Sequence, residues 1–185
     1  MINMERNRER SYIPRPGSPL YNLTLANKEI KVKTLKRWKN LNKWIMIPLY
    51  RMKILPLFGL GKIFLLLITK GRITGKKRRT PLEYHKINDI ITIFSARGVE
   101  SGWMKNILKN PSDVKVYLGF RSFHPKIEIL NNKEEIIEII KWYLINCSRS
   151  SQMLFGWDPK KDDPESHDLS VIVNTITIIR LHLDS

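Results

Sequence analysis

The chain has a single cysteine, Cys147, among 185 residues, so it holds no internal disulfide framework and nothing in it calls for an oxidising compartment. Metal-ligand spacing is missing as well. No C-x₂-C or H-x₃-H pattern occurs, and His85, His124, His167 and His182 lie too far apart to share one helix face. Long apolar runs are also absent: the most apolar stretch, 44–69, is broken by Arg51, Lys53, Lys62, Pro48 and Pro56, whereas a membrane-spanning helix needs about 20 apolar residues with few charges. The opening Met1-Ile-Asn-Met-Glu-Arg6 lacks the basic-then-apolar profile of a secretory signal. The expectation is therefore a cytoplasmic protein, with a peripheral position at the inner face of a membrane as the alternative. The acidic run from Asp158 to Asp168 lacks EF-hand spacing and reads as a solvated loop. With no histidine near it in sequence, Cys147 reads as a buried or incidental thiol.

Acidic residues are few, 17 against 33 basic ones, and the net charge is +16. Its location matters more than its size. Residues 1–53 hold 13 basic and 3 acidic side chains, and residues 70–79 add Lys70, Arg72, Lys76, Lys77, Arg78 and Arg79 with no acid, so the rest of the chain is electrically balanced. Excess confined to two segments points to a local anionic partner better than to general solubility.

Residues 1–30 mix charge with Pro14, Pro16, Gly17 and Pro19 and show no apolar period, which predicts a flexible or loosely docked basic arm contributing little core. Residues 31–185 form the single folded domain. Leu35, Trp38, Leu41, Ile45, Leu49 and Met52 recur every three or four positions over 32–52, an amphipathic helix that Pro48 should kink or split. Strands are expected at 62–69, 78–86 and 89–95, the last two joined by an Asn88-Asp89 turn. A short helix follows at 101–109 with Ser101 as N-cap. Strands at 114–118 and 126–130 read as a pair around Gly119, a helix begins at the Asn132 cap, and 171–183 reads as a closing strand. Mostly antiparallel strands with inserted and appended helices give an α+β fold whose small sheet curls toward a barrel.

The densest chemical signal is Thr69-Lys-Gly-Arg-Ile-Thr-Gly-Lys-Lys-Arg-Arg-Thr-Pro81. It is not a P-loop, because only three residues separate Gly71 from Gly75 and Lys76 is followed by Lys77. What remains is a glycine-bearing turn that presents cationic side chains and backbone N–H donors, suited to a phosphate or several carboxylates. A solvated basic hairpin with no ligand is the other reading of the same residues.

This stretch, together with Phe94-Ser-Ala-Arg-Gly98 and Gly102-Trp-Met-Lys-Asn-Ile-Leu-Lys-Asn-Pro111, resembles the deazaflavin-dependent nitroreductase family, similar to quinone and nitro-compound reductases that use coenzyme F-420. The resemblance implies a split β-barrel and a hydride transfer from the reduced cofactor to a small organic electron acceptor, with no side-chain nucleophile and no metal. It implies that Arg72 and Arg78, with Lys76 and Lys77 as added candidates, hold the cofactor's anionic tail. Thr80 and Pro81 would run under the ring system, Ser95 and Ala96 would approach the ring, and Trp103 and Asn106 would sit near the site. Ile73 departs from the family by standing where many relatives carry a basic residue. Tyr143, Phe155 and Trp157 are candidates for an acceptor pocket, beside the plainer reading of core packing. FMN, a smaller anion, is the alternative cofactor. A nucleic-acid-binding module built on the basic arm is a competing function that the resemblance disfavours. Peripheral membrane contact through the basic N-terminal helix, against simple packing of that helix across the barrel, and a homodimer are left open as partner expectations.

Overall fold

The computed structural model describes residues 10–52, 54–57 and 62–183. In chain order its elements are β1 (Arg10–Ser11), α1 (Pro19–Thr24), α2 (Lys28–Leu41), a π-helical turn (Asn42–Met46), α3 (Ile47–Arg51), α4 (Ile54–Leu57), β2 (Phe64–Lys70), β3 (Lys77–Ile87), β4 (Ile90–Ser95), α5 (Gly102–Lys109), β5 (Lys115–Leu118), β6 (Arg121–Phe123), β7 (Lys126–Ile129), α6 (Lys133–Asn146), α7 (Ser148–Phe155), β8 (His167–Asp168), α8 (Ser170–Thr175) and β9 (Thr177–His182). Seven strands form one sheet in the order β6-β5-β2-β3-β4-β9-β7, and every neighbouring pair is antiparallel.

The central strand belongs to two halves. Residues Lys77 to Glu83 of β3 pair with β2, and Tyr84 to Ile87 pair with β4. Leu65 and Leu67 of β2, Val116 of β5, Ile91 and Ile93 of β4, and Ile179 and Leu181 of β9 meet in one buried cluster with Met104 and Ile107 of α5. Side chains from opposite halves can touch in this way only if the sheet curls on itself, so the expected α+β split-barrel architecture is borne out. Both outer faces are covered too. Leu66 packs under Tyr50 of α3, while α6, α7 and α8 cover Ile87 and Ile178 on the other half. Burial on both faces is why β2 reads as an unbroken apolar run and not as an alternating one.

Several local signals hold. Asn88 and Asp89 both adopt positive φ, 49° and 64°, as a tight two-residue hairpin requires. Asn132 Oδ1 accepts the Glu135 N–H at 2.8 Å and starts α6. The helical stretch from Lys28 to Arg51 is continuous, with the π-turn just before Pro48: the Ile47 N–H donates to the Asn42 carbonyl, five residues back, and the extra residue absorbs the geometry that proline disturbs.

Four expectations change. The strand at 126–130 does not pair with 114–118 around Gly119. Gly119, at φ +57°, instead turns β5 into the short β6, and β7 crosses to the far edge of the sheet beside β9. The β-branched segment from 171 is not strand throughout. Asp168 accepts from the Ser170 N–H (2.9 Å) and hydroxyl (2.8 Å), a local cap that favours the helical turn α8 and buries Ile172 and Val173. The segment 148–155, unassigned from sequence, is α7, stopped by Gly156 at φ +75° with the Arg15 side chain where a Cβ would stand. Finally, residues 10–26 contribute core despite their arm-like composition. Tyr12 and Leu20 are buried, β1 pairs with β8, the Ser18 hydroxyl accepts the Tyr21 N–H, and Arg15 pairs with Asp162 at 2.8 Å. The first nine residues of the expected arm lie outside the described residues.

Leu67 is fully buried where the two halves meet. Truncating it removes apolar burial and leaves a cavity, so Leu67→Ala is expected to lower unfolding free energy by about 2–5 kcal/mol, measured by urea denaturation at unchanged slope.

Candidate functional site

The β2–β3 hairpin is built to a fixed shape. The Gly71 N–H donates to the Lys76 carbonyl (2.9 Å) and the Gly75 N–H to the Gly71 carbonyl (2.7 Å), with Gly75 at φ +67°. A Cβ at Gly71 would stand 3.0 Å from the Lys76 carbonyl oxygen, so a side chain there forces the loop open. Asn106 of α5 secures this loop from outside. Its Oδ1 accepts the Arg72 backbone N–H at 3.1 Å, and its Nδ2 donates to Thr69 Oγ1 at 3.1 Å. Asn106 and Thr69 are both buried, so breaking either bond leaves a desolvated polar group unpaired.

The pleat of β3 then sorts the cations. Thr69 lies opposite Arg78 and Leu67 opposite Thr80, so Arg78 and Thr80 share the inner face of the sheet, while Ile68 opposite Arg79 and Leu66 opposite Pro81 set the outer one. A cavity of about 460 Å³ opens between the hairpin and the start of α5, within the usual size of small-molecule sites. Arg72, Arg78, Thr80, Trp103 and Asn106 line it, as expected from sequence, joined by Thr74, Gly102, Arg79 and Lys39. Lys39 was not a candidate, because α2 brings it in from far along the chain. Arg79 was counted in the charge run but not selected.

No carboxylate lines this cavity. Among the described residues Lys39, Arg72, Arg78 and Arg79 take part in no ion pair. The acids nearby are engaged elsewhere. Asp113 pairs with Lys70 at 3.2 Å, and Glu100 with Lys105 at 2.5 Å. The hydrogen bond and charge of Lys105 hold the Glu100 carboxyl below its ordinary pKa, with weaker pulls from Arg97 and Arg72. The result is an uncompensated cationic pocket with one indole wall, two threonine hydroxyls and a backbone held by Asn106. Such a lining can bind and orient an anion, and it contains no side-chain base or nucleophile.

The remaining candidates fall elsewhere. Lys76 is exposed on the hairpin and not part of the lining, and Lys77 faces a second cavity, of about 470 Å³, with Lys115 and His124. Pro81 is buried on the outer face opposite Leu66, where β3 has no second neighbour. The Tyr84 N–H points toward the β2 side, to the Ile63 carbonyl, so the alternating nitrogen of Pro81 points to the open edge and costs no ladder bond. Ser95 is corrected as a ligand-facing hydroxyl: it donates to the Gly98 carbonyl (2.7 Å) and lies 2.7 Å from Ser101 Oγ, fully engaged in the turn that starts α5. Ala96 packs against the helical core. Tyr143, Phe155 and Trp157 are corrected as acceptor-pocket residues, since they are 2%, 2% and 1% exposed. They are core aromatics under α6 and α7, in contact with His85, Phe94 and Tyr12.

With this geometry in place, comparison with known proteins adds the following. Residues 56–137 match the profile of the family described as F420H(2)-dependent quinone reductase. No curated protein matches the chain. Among solved structures, a conserved hypothetical protein from Mycobacterium tuberculosis is similar at 17% identity and TM-score 0.47, covering 71% of this chain and 79% of that one. An F420-H2 dependent reductase (FDR-A) is similar at 19% identity and TM-score 0.42, covering 64% and 94%. A pyridoxamine 5'-phosphate oxidase-related, FMN-binding protein from Nostoc punctiforme is similar at 13% identity and TM-score 0.43, covering 77% and 80%. The matched segment 56–137, somewhat under half of the chain, contains β2, the cationic hairpin, β3, β4 and α5, all the elements of the cavity except Lys39, and it is this segment that is similar to the F420H(2)-dependent quinone reductase family.

Proposed function

We propose that this protein is a deazaflavin-dependent oxidoreductase that moves a hydride from reduced coenzyme F-420 to a small organic acceptor such as a quinone or a nitro compound. The observation that carries the reading is the group of Arg72, Arg78, Arg79 and Lys39 around one cavity without a carboxylate among its walls. These residues fit the coenzyme, whose phosphodiester and oligoglutamate tail is a string of negative charges. Arginine is well suited to it, since its planar fork meets phosphate and carboxylate two bonds at a time. When bound, the reduced deazaflavin supplies the hydride, and the protein has only to place it.

Each wall has a part in that placing. Asn106 fixes the Arg72 backbone, so the loop that carries this cation is anchored to the helix that carries Trp103. The Trp103 indole gives the cavity an apolar side for a ring system, and Thr74 and Thr80 offer hydroxyls. FMN, with one phosphate, leaves most of the cations unused.

Among the described residues, no helix is long and apolar enough to cross a membrane. The expected packing of the helix at 28–53 across the barrel holds for its end, where Met46, Ile47, Leu49 and Tyr50 pack with Leu66 of the sheet, whereas α2 buries no residue. Trp44 and Met52 stay 69% and 68% exposed, among Lys33, Lys36, Arg37, Lys43 and Arg51. An apolar stripe with flanking cations is the chemistry of contact with an anionic lipid surface. Because Lys39 on the same helix lines the cavity, that contact would set the cavity mouth beside the bilayer.

Three outcomes are expected. In titrations followed by fluorescence, Arg72→Ala and Arg78→Ala should each weaken F-420 binding by about tenfold, the loss of one charge-assisted contact, and raised salt should weaken the wild type. Unchanged affinity in the double variant would overturn the assignment. Asn106→Ala should weaken binding comparably and lower thermal stability by about 1–3 kcal/mol, whereas Asn106→Asp should recover less than half of either. In sedimentation with vesicles, the protein should pellet with phosphatidylglycerol and not with phosphatidylcholine, and Trp44→Glu with Met52→Glu should free it. A supernatant protein, or a dimer in gel filtration that quenches the exposed indole, would exclude the lipid contact.

A further inference from the structure

The face of β3 opposite the barrel interior carries a second chemical constellation, remote in sequence from the hairpin motif. Glu83 and His85, two residues apart on β3, project on the same side toward the corner where α6 ends and α7 begins. Cys147 occupies that corner, and its Sγ lies 3.4 Å from His85 Nδ1. On the other side of the ring, His85 Nε2 stands 3.4 Å from Glu83 Oε1, at ion-pair distance but without the alignment of a hydrogen bond. Ser150 of α7 donates to the same Glu83 oxygen at 2.6 Å. Phe94, Trp142 and Tyr143 set their rings edge-on around the imidazole, which is only 13% exposed.

We propose that Cys147 is a peroxide-reactive thiol whose thiolate is stabilised by His85, itself oriented by Glu83. The order is sulfur, imidazole, carboxylate, with each group supplied by backbone the fold holds rigidly. It is the arrangement that activates a cysteine. Sulfur and carboxylate on opposite sides of one ring both favour the doubly protonated imidazole. Burial opposes that charge, but the Cys147 contact and the Glu83 carboxylate close to the other ring nitrogen prevail and carry the His85 pKa up to about 9. Burial also acts against the Glu83 carboxylate, but His85 and Ser150 bring it net below its ordinary pKa. The other titratable group facing the pair, Tyr143 of α6, stays a neutral phenol because burial raises its pKa strongly. Cys147 stands where α6 ends and α7 begins, so the two helix dipoles oppose each other at the sulfur and the His85 contact decides its surroundings.

Cys147 is half-buried and lines neither of the cavities beside the hairpin, so it is reached from solvent and stands apart from the proposed coenzyme site. The thiolate attacks one peroxide oxygen, an S–O bond forms and the O–O bond breaks. Sulfur gives up two electrons, and the departing hydroxide takes the His85 proton and leaves as water. The product is Cys147 sulfenic acid beside a neutral imidazole. With no second cysteine in the chain, its discharge needs an external small thiol, giving a mixed disulfide and a second water.

The test uses the full chain, in which every thiol adduct reports Cys147. Sulfenic acid formed by hydrogen peroxide is trapped with dimedone and followed by intact mass from pH 5.5 to 9. At pH 6 the rate should exceed that of N-acetylcysteine by about tenfold or more and stay nearly level up to pH 8, whereas an ordinary thiol of pKa about 8.5 slows about tenfold per unit below it. His85→Asn should drop the pH 6 rate about tenfold and restore the ordinary slope, with thermal melting to verify the fold. Glu83→Gln should fall between the two. A wild-type rate and slope matching the free thiol, or an unchanged rate in a folded His85→Asn protein, would overturn the proposal. If His85→Asn does not fold, the wild-type pH profile decides by itself.

Discussion

Strand β3 must serve two half-sheets at once, and that constraint organises the molecule. Its first seven residues are committed to β2 and its last four to β4, so the chain turns the corner of the barrel within one strand. A strand in this position has a different environment on each side at each step. Its inner face offers Arg78 and Thr80 to the cavity mouth and continues as Leu82 into the core. Its outer face presents Glu83 and His85 to the helical layer, ending on Ile87 in that layer's core. The open edge beside its first half accommodates Pro81, which could not sit where two neighbours compete for hydrogen bonds.

The cationic hairpin depends on that strand and on one amide. Asn106 reaches from α5 to both sides of the β2–β3 turn, and because it is buried its two bonds are exchanged for nothing in water. Helix α5 is in turn seated by Met104 and Ile107 in the barrel core. Packing of the barrel, position of the helix, shape of the loop and aim of Arg72 form one mechanical sequence. A core lesion such as loss of Leu67 and a loop lesion such as loss of Asn106 therefore act on the same site at different distances.

What was legible in the chain beforehand follows the range of the interaction. The Asn88-Asp89 turn, the Asn132 cap and the glycine-bearing hairpin are decided within a few residues, and each appears where local chemistry placed it. Five of the ten cofactor candidates gather in one cavity because the hairpin and the Trp103–Asn106 pair are brought together by β2 and α5. Failures come from contacts at long separation. Gly119 was correctly a turn, but nothing nearby says that β7 will leave its neighbour for β9. Ser95 is the exception, a local miss: its hydroxyl is taken up by Gly98 and Ser101, three and six residues on. Cys147 looked solitary because 62 residues separate it from the imidazole that touches it. Residues 10–26 read as an arm by composition, yet buried Tyr12 and Leu20, the β1–β8 pairing and the Arg15–Asp162 pair dock them.

The charge pattern is the physical basis of the proposed polyanionic ligand. Two like unit charges roughly 6 Å apart in water-like surroundings repel by about 0.7 kcal/mol, and a group of arginines and a lysine around one cavity repeats that cost over several pairs. The rest of the body is electrically balanced, and its acids lie in contacts such as Asp113 with Lys70 and Glu100 with Lys105, so the imbalance at the hairpin is not relieved from within. Packing and the Asn106 bonds hold the cations together against their repulsion. An anion entering the cavity adds an attraction to each cation that offsets those repulsions, and the number of cations sets how many negative charges are needed to balance them. One phosphate answers part of the field, and a phosphodiester followed by several carboxylates answers most of it. In the proposed function, that matching of charge number, more than any single contact, would distinguish a coenzyme with a long anionic tail from one with a short one.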